Sequence, residues 1–485
     1  MGLNLLKFET KKGTKLIFDN HTGIVIREKD NTEFLLKNIK EDKGKIVQKL
    51  KELNIYDEQE FETEYKYIIG LISNGYFRSV ISEDFSKKKI DFFDGYSSQL
   101  ILITTEMCNL RCRYCVYSDF YAEKKTYSSK SMSKETAFKA VDFFKTIHEE
   151  KVRRGYKDEP KISFYGGEPL INFELIKEIV KYVEKIGFKN VEYLVTTNGT
   201  LMDDEVIDFL AKHHFLVGFS LDGDALNHNR NRVYSDGDKT HDIVVSNLIK
   251  YNERLQHYRK GAAINISCCF DDYTDMIKVT SFFEEVRSRV ENINILYNKI
   301  YDVGTTYYDY CKDRYKDDSV LNEQTHKDTI ELLFDKYYMK LGHNEIPDSV
   351  KTIFTTYYMI KNRKKGWSDV RQGNACMIGD KLCIAPDENI YICEKANQEM
   401  DIGNLTEGLD SEKIDNLYKE FFRIREEKCS ECSVCRLCDV CYVHFMRNNN
   451  LQYIEEVCTR RREVFERGIK TLYSLLEEDR ELFNI

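Results

Sequence analysis

Three cysteines stand within eight residues, Cys108-Asn-Leu-Arg-Cys112-Arg-Tyr-Cys115, and nine more are crowded between Cys376 and Cys458. Fifteen cysteines in a chain of 485 residues would staple it with disulfides only in an oxidising compartment, and such frameworks mark small secreted domains. Metal ligation by thiols is the better reading, and the distribution implies two metal-binding regions. The remaining three, Cys268, Cys269 and Cys311, read as small buried hydrophobes.

The length suggests about two to four domains. The net charge of -9 is spread without a basic face, which argues against nucleic acid as a partner. No stretch approaches the apolar run of a membrane span, and the first residues lack the apolar core of a signal peptide. The expectation is a cytoplasmic protein that does not meet the membrane.

Residues 1–90 show apolar runs at 15–18 and 24–27 around the turn Asn20-His21-Thr22-Gly23, a hairpin signal. Two helices follow, with Ile46, Val47, Leu50 and Leu53 on one stripe and Phe61, Tyr65, Ile68 and Ile72 on the next, before Gly75. A small winged-helix unit fits this order, and the lysine-rich 82–89 reads as a linker. From Gln99 onward, apolar strands alternate with amphipathic helices. Six strands are predicted, at 99–105, 161–165, 192–197, 216–220, 262–267 and 293–299. The fold class is therefore α/β, a partial (β/α)6 TIM-type barrel over 95–320, whose ligands should gather at the C-terminal strand ends. Bridging helices are expected over 321–370, then a cysteine-rich domain over 371–485 with a last helix near 453–476.

The first thiol set follows the first barrel strand. A 4Fe-4S cluster normally takes four thiolates, so three leave one iron open to an exchangeable ligand; a structural zinc is the alternative. The spacing C-x3-C-x2-C, with an aromatic before the last cysteine, resembles the signature of radical S-adenosylmethionine (SAM) enzymes. The resemblance implies that Cys108, Cys112 and Cys115 hold a 4Fe-4S cluster whose open iron binds SAM, and that SAM is cleaved to a 5'-deoxyadenosyl radical. Other strand ends agree. Gly166-Gly167-Glu168-Pro169 is similar to the family's GGEP segment, which receives the SAM amino group, and Asn198 stands after the third strand. Ser220-Leu221-Asp222-Gly223, trailed by His228 and Arg232, is similar to the SLDG segment. A carboxylate calls for a fork-shaped cation, so Arg232 is preferred over Arg230, read as a solvated charge. His228 reads as a packing or hydrogen-bonding residue.

The second thiol region resembles the SPASM extension of these enzymes, which holds two auxiliary clusters and brings the total to three 4Fe-4S clusters. By resemblance Cys376, Cys383, Cys393 and Cys441 hold one, and Cys429, Cys432, Cys438 and Cys458 the other. Three departures stand out: Cys441 is one residue early, Cys435 is extra and open to exchange with a neighbour, and Glu388 replaces a glycine. Paired zinc knuckles are the alternative.

SPASM enzymes characteristically act on peptides. The N-terminal unit resembles the element that takes a leader peptide as an added strand; a winged helix also binds DNA, which the absence of a basic stripe disfavours. The resemblance implies a maturase of a ribosomally made precursor that forms cysteine thioethers, as in sactipeptide and ranthipeptide synthases, with a flavodoxin or ferredoxin-type reductant. A sulfatase-type maturase and a carbon-carbon crosslinking enzyme share the same motifs, and an iron-sulfur electron carrier is the reading outside the enzymes.

Overall fold

The computed structural model describes residues 5–20, 23–77, 98–121, 126–157, 159–300, 304–317, a few positions between 332 and 351, residue 376, 378–396, 400–429, 432–435, 437–447 and 450–478. The expected linker at 82–89 and most of the expected bridging helices over 321–370 lie outside the described residues.

At the N-terminus, β1 (Leu5–Glu9), β2 (Lys15–Asp19) and β3 (Val25–Arg27) form an antiparallel sheet in that order. The predicted hairpin is β2 and β3; β1 was not anticipated. Three helices follow, α1 (Thr32–Asn38), α2 (Lys43–Glu52) and α3 (Glu58–Ser73), of which α1 was also missed. Asp57 starts α3 by accepting from the Glu60 N–H at 2.8 Å, an N-cap worth about 1 kcal/mol. Successive residues of β2 point to opposite faces. Ile17 packs with Ile46, Leu50, Phe61 and Ile68 of the helices. Phe18 packs instead with Val434, Leu437, Phe465 and Ile469 of the cysteine-rich region.

The six predicted strands are all present: β4 (Gln99–Thr105), β5 (Lys161–Gly166), β6 (Glu192–Thr197), β7 (Leu216–Ser220), β8 (Ile264–Phe270) and β9 (Ile293–Lys299). They pair in chain order and in parallel. The intervening helices are α4 (Lys134–Arg153), α5 (Phe173–Lys185), α6 (Asp204–Lys212), α7 (Ala225–Asn231), α8 (His241–Tyr258) and α9 (Met276–Arg287), with α10 (Tyr307–Tyr315) beyond β9. Leu100 through Ile103 of β4 are all buried, as expected of a strand covered on both faces.

The sheet is larger than six strands. β10 (Lys381–Ile384) adds in parallel to β4, and β11 (Ile390–Tyr391) pairs back antiparallel, giving the order β11-β10-β4-β5-β6-β7-β8-β9. The cysteine-rich region therefore begins inside the barrel sheet. It continues through α11 (Ser411–Ile424) to α12 (Glu455–Glu478), the expected last helix.

The turn between β10 and β11 explains the missing glycine. Glu388 stands there with φ +66, a left-handed conformation that costs a residue with a Cβ about 1–2 kcal/mol. Its carboxylate is tied to α4 by the Thr136 hydroxyl at 3.1 Å and Lys139 at 3.4 Å. Glu388→Val, whose branched Cβ tolerates this φ least, is expected to cost about 1–2 kcal/mol more than Glu388→Gly, read as a lower melting temperature of the valine variant.

Candidate active site

The segments singled out in the barrel all sit at C-terminal strand ends, where ligands of parallel α/β folds gather. In the loop after β4, Cys112 is buried and Cys108 and Cys115 are half-buried. The Cys115 N–H donates to the Cys112 carbonyl at 3.1 Å, closing the turn, and the Leu110 N–H donates to Cys108 Sγ at 3.4 Å. The Arg111 and Arg113 N–H groups donate to the carbonyls of Val233 and Asn231 at 2.8 and 3.1 Å. The thiol loop is thus stitched to the segment that carries Arg232.

Burial pushes the Cys108 thiol up to about 12, with the Glu168 charge adding, and burial also raises Cys112. Without a cofactor these side chains are neutral thiols. No disulfide joins the cysteines, and among the described residues no three His, Cys, Asp or Glu side chains converge as a single ion would require. A zinc ion draws its thiolates to about 2.3 Å from one centre. Three thiols on one short loop, not converging on a single-ion centre, suit a larger iron-sulfur group, which would take them up as thiolates and release their protons.

Beside them, the Gly166-Gly167 turn lies against the start of the thiol loop. A Cβ at Gly166, where φ is +152, would meet the Thr105 carbonyl oxygen at 2.1 Å, and one at Gly167 would meet that of Met107 at 2.1 Å, so only glycine allows this approach. Glu168 is buried and accepts at Oε1 from the Leu170 N–H (3.1 Å) and the Thr197 hydroxyl (2.7 Å), and at Oε2 from the Asn198 N–H (2.7 Å). Each carboxylate oxygen has two lone pairs, so one site on Oε2 remains. Burial outweighs these donors and lifts Glu168 to about 7. The Asn198 amide donates to Asn109 Oδ1 at 2.8 Å and reaches Cys108 Sγ at 4.0 Å.

Ser220 ends β7, half-buried. Asp222 is a hub: it accepts from Arg232 Nε (2.9 Å), from the Tyr114 hydroxyl, and from the Cys269 N–H (2.9 Å). Arg232 is buried, its Nη1 3.8 Å from Cys112 Sγ, and its guanidinium lies 5.3 Å from the Tyr114 ring centroid. With Nε engaged, the fork it offers an anion is the Nη1/Nη2 pair. His228 is structural. Its Nδ1 accepts the Asp222 N–H at 3.2 Å, and its Nε2 faces Thr240 Oγ1 at 3.0 Å. Burial holds it far below the usual imidazole range.

Arg230 departs from the expectation of a solvated charge. It is buried and binds Asp271 through both Nη groups, at 2.8 and 2.6 Å, with Thr274 at 3.0 Å. Cys268 and Cys311 are core residues as expected. Cys269 is not merely that: the charges of Asp222 and Arg232, the Tyr114 hydroxyl and Lys395 all act on its thiol, which burial raises to about 11. Tyr165, next to Gly166, is raised by burial and by the charges of Glu394, Cys115 and Cys269. Sequence reasoning missed this group of Tyr165, Cys269, Glu394 and Lys395. Their position at strand ends and after Cys393 was the available signal.

In the second region, Cys376, Cys393 and Cys441 lie together around Tyr442. Cys383, on β10, is paired with Tyr391 and Ile101 and acts on Tyr117. Burial lifts Cys429 to about 12, with the charges of Cys435, Cys438 and Cys432 adding. Cys458 is raised by burial and then by Cys438.

Residues 102–260, from β4 past α8, match the model of the Radical SAM superfamily, and this stretch is a radical SAM domain. The chain is 28% identical over 174 residues to a cysteine-type anaerobic sulfatase-maturating enzyme of Clostridium novyi, covering 35% of this chain and 44% of that protein. It is 26% identical over 167 residues to the radical SAM cyclopropyl synthase TigE of Paramaledivibacter caminithermalis, covering 34% of each. The chain thus matches less than half the length of these curated relatives. The solved structure of anSMEcpe with bound AdoMet superposes with a TM-score of 0.54 at 21% identity, over 79% of this chain and 95% of that one; this likeness is one of fold.

Removing one partner of a buried ion pair costs about 3–5 kcal/mol, against under about 1 for an exposed pair. Asp271→Asn, which strands Arg230, should lose that larger amount in chemical denaturation, and Lys37→Gln, at the exposed Lys37–Glu33 pair, the smaller.

Proposed function

We propose that this chain is a radical SAM maturase that forms cysteine thioethers in a ribosomally made precursor peptide. One observation carries the reading: the three-thiol loop, Glu168 and Arg232 meet at one mouth of the sheet, and the segment after Cys393 reaches the same mouth through Glu394 and Lys395. A pocket for SAM thereby borders a thiol-rich region. A peptide that enters there meets both.

Cys108, Cys112 and Cys115 would hold the SAM-binding 4Fe-4S cluster, with two more clusters on the C-terminal thiols. When bound, that cluster supplies the electron that cleaves SAM to methionine and a 5'-deoxyadenosyl radical. The remaining work belongs to the protein. Glu168 accepts the SAM amino group on its open Oε2 site, and the Gly166-Gly167 turn lets backbone carbonyls approach it. The Arg232 Nη pair receives the SAM carboxylate, and Asp222 fixes its plane. Of what the substrate loses, the 5'-deoxyadenosyl radical would take a hydrogen atom, Glu394, beside Tyr165, is suited to take the thiol proton, and the clusters on the C-terminal thiols would accept the remaining electron. The N-terminal sheet would receive the leader peptide as an added strand, and a flavodoxin or ferredoxin-type protein would deliver electrons.

The named relatives favour a second reading, a sulfatase-type maturase, since they include sulfatase-maturating enzymes. The two differ in product. Reconstituted enzyme given a cysteine-containing precursor should remove about 2 Da per crosslink and leave the cysteines resistant to alkylation, as blocked thiols are. A modified residue without a crosslink would favour the sulfatase-type reading. Replacing Cys108, Cys112 and Cys115 together with alanine should remove about four irons and all SAM cleavage; surviving cleavage would sink the central claim.

Glu168 also predicts a pH dependence. Its carboxyl holds a proton up to about 7 in the free enzyme, and the protonated form is the poorer acceptor, so binding is favoured as pH rises through that value. SAM affinity should fall about tenfold from pH 8 to pH 6 by equilibrium binding. Glu168→Gln should bind more weakly and lose this slope.

A further inference from the structure

Asn20, which the sequence marks only as part of the hairpin turn between β2 and β3, is 0% exposed, and Cys435 is 2% exposed. The Asn20 side-chain amide donates to Cys435 Sγ at 3.1 Å across 415 residues of chain. This contact is not isolated. On the same face of the sheet, Leu6 and Phe18 pack with Val434 and Leu437, the residues that flank Cys435, and with Phe465 and Ile469 of α12. Phe8 meets Tyr473 with ring centroids 5.6 Å apart, and the Thr10 hydroxyl donates to Glu477 at 2.5 Å. One face of the N-terminal sheet is thus seated on the segment around Cys435 and on α12.

Five thiols, Cys429, Cys432, Cys435, Cys438 and Cys458, act on one another in this corner. A 4Fe-4S cluster takes four. The family spacing leaves Cys435 over, but the structure gives it the amide donor and a buried setting among the others. Hydrogen bonds to cluster sulfurs are one of the main controls of reduction potential, because they draw charge from the thiolate and favour the reduced, more negative state.

We propose that Cys435 is a thiolate ligand of the C-terminal iron-sulfur cluster and that Asn20 is a positioning residue for it, whose amide hydrogen bond to Sγ raises that cluster's potential. This rests on the reading that the C-terminal thiols hold clusters. The unit that would hold the leader is thereby coupled to an electron-transfer centre through a single amide.

The test is potentiometric titration of the full-length, fully reconstituted protein, followed by electron paramagnetic resonance. Asn20→Ala should shift one cluster to a more negative midpoint with iron content unchanged, and Asn20→Asp, which removes the donor and adds a negative charge, should shift it further. Thr10→Ala loosens the same interface without touching the thiol and should leave all midpoints in place. Cys435→Ala should lose that cluster's signal. Unchanged midpoints in both Asn20 variants, an equal shift in Thr10→Ala, or full iron and unchanged spectra in Cys435→Ala would each overturn the proposal. A wild-type protein that holds only about four irons would instead remove the reading on which it rests.

Discussion

The parallel pairing of β10 with β4 is the constraint on which the rest of this molecule depends. β4 ends in the three-thiol loop, and its other neighbour, β5, ends in the Gly166-Gly167 turn. Adding β10 in register, with Cys383 opposite Ile101, joins the cysteine-rich region to the barrel sheet rather than to its surface. The hairpin then returns through β11, and Cys393, Glu394 and Lys395 emerge toward the mouth. A strand buried on both faces cannot slip without exposing its apolar residues, so the relation between the two thiol regions is fixed by the core.

Two buried ion pairs at this mouth do different work. Arg230 spends both Nη groups on Asp271, with the Tyr307 hydroxyl also on that carboxylate at 2.5 Å. Burying a charge is tolerable only when it is paired and hydrogen-bonded, and this pair meets the condition and holds α7 to the end of β8. Arg232 meets its carboxylate through Nε only, with Nη1 turned toward Cys112 Sγ at 3.8 Å. Asp222 neutralises it and leaves its Nη edge for an anion, so neighbouring arginines of the same helix end are separated into a support and a ligand by which carboxylate each faces.

Much of this was legible in the sequence because its signals are local. The six strands follow from apolar runs of about strand length, and the thiol loop from spacing. What stayed hidden depended on distant partners. β10 and β11 are too short to show a period, and they form because β4 offers an open edge. Cys269 was lost because its strand was ended at 267; the true end at Phe270 puts Cys268 in the core and Cys269 toward the mouth, as alternation requires. Arg230 was misjudged because nothing local announces Asp271, 41 residues on. Asn20 gave the signal of a turn, and turn chemistry carries no information about what the turn rests upon.

The raised thiols bear on how such a protein is completed. Burial lifts Cys108, Cys393 and Cys429 to about 12 and Cys438 to about 11, so the cofactor-free protein at neutral pH buries these side chains as uncharged thiols. Iron bound by these thiols, as proposed, would expel a proton from each, and the apparent affinity would rise with pH. The same burial that opposes charge on these thiols would exclude water once metal neutralised the thiolates. Because the thiol loop around Cys435 is also the floor on which Phe18 and Leu6 pack, filling the C-terminal sites should order the seat of the N-terminal sheet. Metal binding by the C-terminal thiols and the seating of the N-terminal sheet would then be one linked equilibrium rather than two.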